Sequence, residues 1–177
     1  LNEEEILPVF WERVRKALEG VDYELVLVND GSTDSTQELL DRMAAEDERV
    51  RVVHLSRNFG YQAAVAAGID HCRGEAVVTI DADLQDPPEL IPQLIEEWRN
   101  GSDVVYAVRE HREGEGRLKL VTARWFSALF RRLAELDIPA DVGDFRLLSK
   151  RAVEALKQMP ERNRFMRGMT VWVGFRQ

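Results

Sequence analysis

The chain has 177 residues, 45% of them hydrophobic and 32% charged, with a formal net charge of -8 and one cysteine, Cys72. That length supports one domain with its own core, while a lone cysteine excludes an internal disulfide and a cysteine-based metal cage and suits a reducing compartment. The acidic total argues against nucleic acid as a partner, and no apolar run approaches the ~20 residues that span a bilayer. The opening Leu1-Asn2 and three glutamates lack the character of a signal peptide. Charge is unevenly spread: residues 1–50 carry 5 Lys and Arg against 14 Asp and Glu, and residues 111–177 carry 14 against 8. A basic last third on an acidic protein points to a local anionic partner, a phosphate or a membrane surface, or else to a solvated basic face.

In chain order, residues 3–19 read as an amphipathic helix with Ile6, Phe10, Val14 and Leu18 on one face. Residues 23–29 form a near-continuous apolar run, as expected of a buried parallel strand. A Gly-Ser-Thr-Asp turn follows, with Ser32 or Asp34 able to cap a helix over 35–46. The unit then repeats: strand 50–55, alanine-rich helix 61–71, strand 76–80, helix 89–98 behind Pro87-Pro88, and strand 104–108. This alternation predicts an α/β fold with a doubly wound, mostly parallel sheet flanked by helices, whose ligands bind beyond the carboxyl ends of the strands. After Arg109 come a charged, glycine-containing stretch over 110–116, a long amphipathic helix over about 117–136, a short strand over 141–149, a helix over 150–158 and a last strand over 170–175.

Two strand ends carry concentrated chemistry. Asn29-Asp30-Gly31-Ser32-Thr33-Asp34 closes the first apolar strand, where Asp30 can hydrogen-bond a base or ribose; the same residues also suit a plain strand-turn-helix connection. Asp81-Ala82-Asp83-Leu84-Gln85-Asp86-Pro87-Pro88-Glu89 closes another. Two carboxylates at i and i+2 on a strand end suit Mg²⁺ or Mn²⁺, which prefer hard oxygen ligands and share them with substrate phosphates, and Gln85 can add an amide oxygen. Arg109 ends the next strand, where its planar fork matches phosphate oxygens. On the helix over 117–136, Arg117, Arg124 and Arg131 form a basic stripe beside an apolar face with Trp125, a pattern that fits a membrane interface or packing against other helices. The histidines, 54, 71 and 111, fall outside every motif.

These motifs, with Arg57-Asn58-Phe59-Gly60, Gly143-Asp144-Phe145-Arg146-Leu147-Leu148-Ser149 and Glu161-Arg162-Asn163-Arg164-Phe165-Met166-Arg167-Gly168, resemble the family 2 glycosyltransferases of the GT-A fold. The nearest subgroup is that of dolichyl-phosphate mannose synthase and the undecaprenyl-phosphate glycosyltransferases. The resemblance covers essentially the whole chain and implies one catalytic domain, with a nucleotide-sugar half over 1–109 and an acceptor half over 110–177. It differs at the ends: the family's first strand closes with Pro-x-Tyr-Asn-Glu, of which Leu1-Asn2-Glu3 matches only the last part, and the bacterial members' later membrane segments have no counterpart here. A first strand and C-terminal membrane segments are therefore expected to be missing.

The resemblance further implies that Glu3 and Asp30 contact the nucleoside, that Asp81, Ala82 and Asp83 line the nucleotide-sugar site, and that Asp81, Asp83 and Gln85 hold Mg²⁺ or Mn²⁺. Arg109 is expected to reach the donor diphosphate. On the acceptor side, Arg146, Ser149, Arg162 and Arg164 are candidates for the acceptor phosphate, and Asp144 and Arg146 for catalysis. Asp144 is placed as a general base, although an ionised phosphate acceptor needs little base, so an orienting role stays open. The implied reaction is inverting transfer of a sugar from a nucleotide diphosphate, a UDP-hexose before GDP-mannose, to a polyisoprenyl phosphate at the cytoplasmic face of a membrane, with a homo-oligomer possible. A soluble transferase acting on a saccharide or protein is the alternative within the fold, and a magnesium-binding receiver-like module the alternative from another class.

Overall fold

A computed structural model describes residues 1–108, 142–159, 161 and 165–177. The expected helix over 117–136, the charged stretch over 110–116, and Arg109, Arg162 and Arg164 lie outside the described residues.

Helix α1 covers Leu7–Ala17, with Pro8 in its first turn and Leu7, Phe10 and Val14 buried along one stripe. It starts later than the periodicity of 3–19 predicts, because residues 3–6 form a turn in which the Ile6 and Leu7 amides both donate to the Glu3 carbonyl. Strand β1 (Leu25–Asn29) pairs in parallel with β2 (Val50–His54), from Leu25 opposite Val50 to Asn29 opposite His54. Helix α2 (Thr36–Glu46) joins them, and α3 (Tyr61–His71) leads to β3 (Ala76–Thr79). A 3-10 turn over Pro88–Leu90 enters α4 (Ile91–Arg99), followed by β4 (Val104–Val108), β5 (Val142–Ser149), α5 (Lys150–Gln158) and α6 (Met166–Trp172). Among the described residues no helix is long and apolar enough to cross a membrane.

The α/β class and the helix-strand alternation are as the sequence predicts. What the alternation does not reveal is the place of β5. It lies between β3 and β4 and runs antiparallel to both, with Thr79 opposite Arg146 and Val104 opposite Leu148. Because β5 is reversed, its beginning, not its end, lies at the carboxyl end of β3. The two-residue period of a strand then splits its side chains. Phe145 and Leu147 join the core packed by α1, α2 and α4, whereas Leu148 joins a second core with Ile69, Val104, Ala152, Val153, Leu156 and Met166. Helices thus cover both faces, and burying a side chain such as Leu147 stabilises the fold by about 2–3 kcal/mol.

The expected last strand over 170–175 is a correction: Met166–Trp172 is helical. The β-branched Thr170 and Val171 read as strand, but a threonine hydroxyl can bond back along a helix, and the Thr170 hydroxyl contacts the Met166 and Arg167 carbonyls at 2.9 and 3.0 Å. The chain end still reaches the sheet, since the Asp103 and Val104 amides donate to the Arg176 carbonyl.

The turn after β1 is set by Gly31. Its φ is +70°, and a Cβ there would lie 2.5 Å from the Arg57 carbonyl carbon and 2.6 Å from the Asn58 nitrogen. Backbone, not a flexible side chain, is the obstacle. Gly31→Ala is expected to cost about 2–4 kcal/mol, the sum of a left-handed penalty and overpacking, read as a lower urea midpoint at unchanged slope. An unchanged midpoint would mean that the turn and the 57–60 loop are not packed together in solution.

Candidate functional site

Asp30 directly follows β1; the residue is 8% exposed, and its carboxylate accepts from the Phe59 amide at 2.7 Å and the Gly60 amide at 3.0 Å. Asp30 therefore ties the 57–60 loop to the strand end, and each oxygen keeps a further lone pair for a ligand. The first residues of the chain lie against the turn that follows. The Asn2 side-chain oxygen accepts from the Thr33 amide, the Glu3 amide donates to the Thr36 hydroxyl at 2.9 Å, and the Glu4 carboxylate accepts from the Ser35 amide. This anchoring brings Glu3 beside the segment that follows Asp30.

At the end of β3, the Thr79 hydroxyl donates to the Asp144 carbonyl at 2.6 Å, which fixes the start of β5 next to Asp81. Burial pushes the Asp81 carboxyl above the ordinary carboxylate range; the nearby Tyr61 opposes that rise, while Asp83, Asp144 and Asp86 add to it. The Asp83 carboxylate accepts from the Gln85 amide at 3.0 Å. Between them Leu84 takes a φ of +61°, rare for a branched side chain, and packs against the core while Gln85 stays exposed. Ala82 also packs against that core, so its contribution to a ligand is limited to backbone and shape.

This donor set fits a divalent cation. Asp81 and Asp83 supply hard oxygens, Gln85 stands exposed beside them, and the mutual repulsion at Asp81 is of the kind a cation relieves. Among the described residues no three carboxylate, histidine or cysteine groups converge to make a metal cage, so the remaining ligands would be oxygens from a bound diphosphate or water.

Facing Asp81 across the antiparallel pairing, Asp144 and Arg146 form a second cluster. Arg146 is 2% exposed. Its Nη2 donates to Asp144 Oδ1 at 2.5 Å, its Nη1 to the Thr170 hydroxyl at 2.9 Å, and its guanidinium carbon lies 5.7 Å from the centre of the Tyr106 ring. The other Asp144 oxygen accepts from Arg167 Nη2 at 3.0 Å. Arg167 is the more open of the two arginines, with its side chain 35% exposed.

The strands form two sheets, parallel β1-β2 and antiparallel β3-β5-β4; Asp81, Asp83, Asp144 and Arg146 gather at the carboxyl end of β3 in the second, with Gln85 beside Asp83, while Asp30 follows β1 in the first, with Glu3 behind the turn after it. The structure does not bring Ser149 to the carboxyl end of β3. Ser149 sits at the opposite end of β5, paired with Ala76, where its hydroxyl donates to Asp103 Oδ1 at 2.8 Å and caps α5. The serine at the close of the Gly143–Ser149 motif marks a helix start, and its buried hydroxyl has no path to an acceptor. Sequence reasoning also passed over Tyr61, read only as the start of a helix, and Thr170, read as strand; Arg167 it grouped with Arg162 and Arg164 in a basic region able to meet lipid headgroups or an acceptor phosphate. A usable signal for Tyr61 was its place directly after Gly60 at a helix start that faces the strand ends.

The family model described as glycosyl transferase family 2 matches residues 1–157. The chain belongs to glycosyl transferase family 2. It is 47% identical over 99% of its length to a protein named uncharacterized glycosyltransferase sll0501 from Synechocystis sp., covering 56% of that relative. It is also 47% identical, over 98% of its length, to the prophage bactoprenol glucosyl transferase homolog of Escherichia coli and to the bactoprenol glucosyl transferase of Shigella phage SfV, covering 57% of each. The chain therefore spans a little over half the length of these curated relatives. Membership of glycosyl transferase family 2 is consistent with the α/β architecture.

The structural assignment of Ser149 has a consequence for acid stability. Asp103, which receives that hydroxyl, is held below the ordinary carboxylate range chiefly by hydrogen bonds from Arg151, against the cost of burial. A depressed carboxyl stabilises the fold at pH values above its unfolded pKa of about 3.9, and that stabilisation is lost as pH falls toward the folded value. Asp103→Asn is expected to lower the thermal midpoint at pH 7 and to flatten its decline below pH 4. An equally steep acid decline in the variant would assign the decline to other carboxylates.

Proposed function

We propose that this chain forms the catalytic part of an inverting glycosyltransferase that moves a sugar from a nucleoside diphosphate, a UDP-hexose before GDP-mannose, to a polyisoprenyl phosphate at a membrane surface. The observation that carries the reading is the reversed β5, which sets Asp144 and Arg146 against the Asp81-Ala82-Asp83 strand end. In this reading a donor half and an acceptor half meet there, at the carboxyl end of β3. The names of the relatives support the class of acceptor, since several are called bactoprenol glucosyl transferases.

In this reading Glu3 and Asp30 take the nucleoside, and Asp81 and Asp83, with Gln85, hold Mg²⁺ or Mn²⁺ beside the donor diphosphate, with Arg109 as a further diphosphate contact. When bound, such a cation neutralises charge that builds on the leaving diphosphate. The acceptor oxygen attacks the anomeric carbon from the side opposite the nucleotide, the bond to the diphosphate breaks, and the configuration inverts. Asp144 orients the two arginines, as each of its oxygens already accepts a guanidinium N–H, and an ionised phosphate acceptor has no proton to remove. Arg167 offers the exposed guanidinium for the acceptor phosphate, Arg146 holds the cluster from below, and Arg162 and Arg164 add positive charge in the same part of the chain.

Most of the catalysis is positioning and electrostatic stabilisation. Phe165 and Trp172 flank Arg167 in sequence at 48% and 67% exposure, which suits an interface between lipid tails and headgroups. The reading puts the transfer at the cytoplasmic face of a membrane.

The test is calorimetric titration of UDP, UDP-glucose and GDP-mannose with and without Mn²⁺, followed by transfer of labelled sugar to undecaprenyl phosphate. Cation-dependent binding of one nucleotide is expected, at least tenfold weaker in Asp83→Ala, with the transferred sugar inverted at its anomeric carbon by NMR. Because the Asp81 carboxyl is raised, Mn²⁺ affinity should begin to fall at a higher pH than an ordinary aspartate would dictate as the solution is acidified. Transfer to a soluble saccharide with none to the lipid would overturn the acceptor assignment.

A further inference from the structure

His54 ends β2, directly opposite Asn29 at the end of β1. Its ring bridges two elements. Nδ1 lies 3.2 Å from the Asn29 side-chain nitrogen, and Nε2 lies 3.0 Å from the Asp41 carboxylate on α2. The donor and acceptor roles along this chain of contacts are fixed from its far end. The Ser32 amide can only donate, and it reaches Asn29 Oδ1 at 2.9 Å. The Asn29 side-chain nitrogen, a donor, therefore faces the ring. His54 Nδ1 must then be the acceptor, so the imidazole is neutral and carries its proton on Nε2, where Asp41 receives it. Asn29 is 4% exposed, so water does not readily replace a partner that it loses.

We propose that His54 is a positioning residue for the nucleoside end of the site: its bare Nδ1 holds the Asn29 amide and, through it, the turn that carries Asp30. The inference rests on the reading of Asp30 as a nucleoside contact. Asn29 and Ser32 bracket Asp30 and Gly31, so the Asn29 side chain closes the turn across the residue that meets the ligand. Other supports of the turn are the Phe59 and Gly60 amides on Asp30 and the Asn2 amide on the Ser32 hydroxyl. The His54 contact differs from these, because histidine ordinarily changes charge between about pH 5 and 8. A proton on Nδ1 sets a donor against a donor. Asn29 cannot answer by turning over, since its nitrogen would then face the Ser32 amide. Asp41 of α2 receives the Nε2 proton in either charge state, so the change falls on the Nδ1 side. From β1 the ring meets the neutral Asn29 amide, with the Asp30 carboxylate beyond it committed to two backbone amides. Arg57, on the loop after β2, is turned to the Phe59 ring and the Asn58 carbonyl.

Two measurements test this. Nitrogen-proton NMR of the wild-type imidazole should show the His54 tautomer with its proton on Nε2. UDP and, separately, GDP are then titrated calorimetrically in the presence of Mn²⁺ at about pH 7.5 and 5.5, either side of the ordinary histidine pKa near 6.5. The proteins are the wild type, His54→Asn and His54→Phe, with thermal unfolding followed in parallel. His54→Asn puts an oxygen acceptor where Nδ1 stands and takes up no proton there. It should bind the nucleotide as the wild type does at the higher pH and lose less affinity at the lower. Acid also acts on the carboxylates of the site in every variant, so the readout is the difference between the wild type and His54→Asn. His54→Phe removes the acceptor and should bind about fivefold more weakly at the higher pH. Equal acid losses in the wild type and His54→Asn, wild-type affinity in a folded His54→Phe, or a proton on Nδ1 in the neutral ring would each overturn the positioning role and leave the nucleoside site standing. If His54→Phe does not fold, the tautomer and His54→Asn decide. No nucleotide binding by the folded wild-type protein would overturn the nucleoside site itself, and with it the inference.

Discussion

A guanidinium buried as deeply as that of Arg146 must be fully paired, and the far side of the site is arranged around that requirement. An unpaired charge in a protein interior carries a desolvation penalty of several kcal/mol. Here Asp144 supplies the countercharge, Thr170 and the Gly143 carbonyl supply neutral acceptors, and the face of Tyr106 lies alongside. These partners come from β4, β5 and α6, so satisfying one side chain docks three elements. Burial works to lower the Arg146 pKa and Asp144 works to raise it, which is the balance expected of a buried pair held by geometry. The pair gives the acceptor side a fixed floor, against which the more exposed Arg167 remains available to a ligand.

The donor side follows a different logic. Its carboxylates crowd one another, with Asp83, Asp144 and Asp86 all acting on Asp81. Asp81 is the extreme case, half-buried beside three other acids. Such an arrangement is costly for the protein alone and becomes favourable only with a ligand that carries positive charge or organises it. Polar sites that break the ordinary rules of burial mark places where stability is exchanged for function. The contrast between a saturated arginine cluster and an unsaturated acidic cluster, a few residues apart across one antiparallel pairing, gives the site its polarity.

Much of this was legible in the sequence, for reasons that differ from element to element. The strands β1 and β4 show as apolar runs, and α2, α3 and α5 show by periodicity and caps, because each buries a face whose pattern is local. The Asp81–Asp83 pair was legible because its spacing and its position after an apolar strand are both one-dimensional facts. The reversed placement of β5 was not, since strand order and direction arise from long-range pairing. That same pairing decides the fates of Asp144 and Ser149. Five residues apart, they occupy opposite ends of one strand, and only the first lies at the edge where the ligand-binding turns gather. A motif read as a unit hides this, because an eight-residue strand is longer than any active site is deep. The strand expected over 170–175 failed for a local reason, as β-branched residues weigh toward strand until a hydroxyl bonds back to its own helix.

The position of Asp144 also narrows what it can do. An aspartate acting as a base needs a free oxygen aimed at the proton it removes. Both oxygens of Asp144 already accept N–H bonds from guanidinium groups, one on a buried anchor and one on a half-open side chain. Asp144 is instead suited to holding the two guanidinium groups in place, the buried Arg146 on one oxygen and the half-open Arg167 on the other.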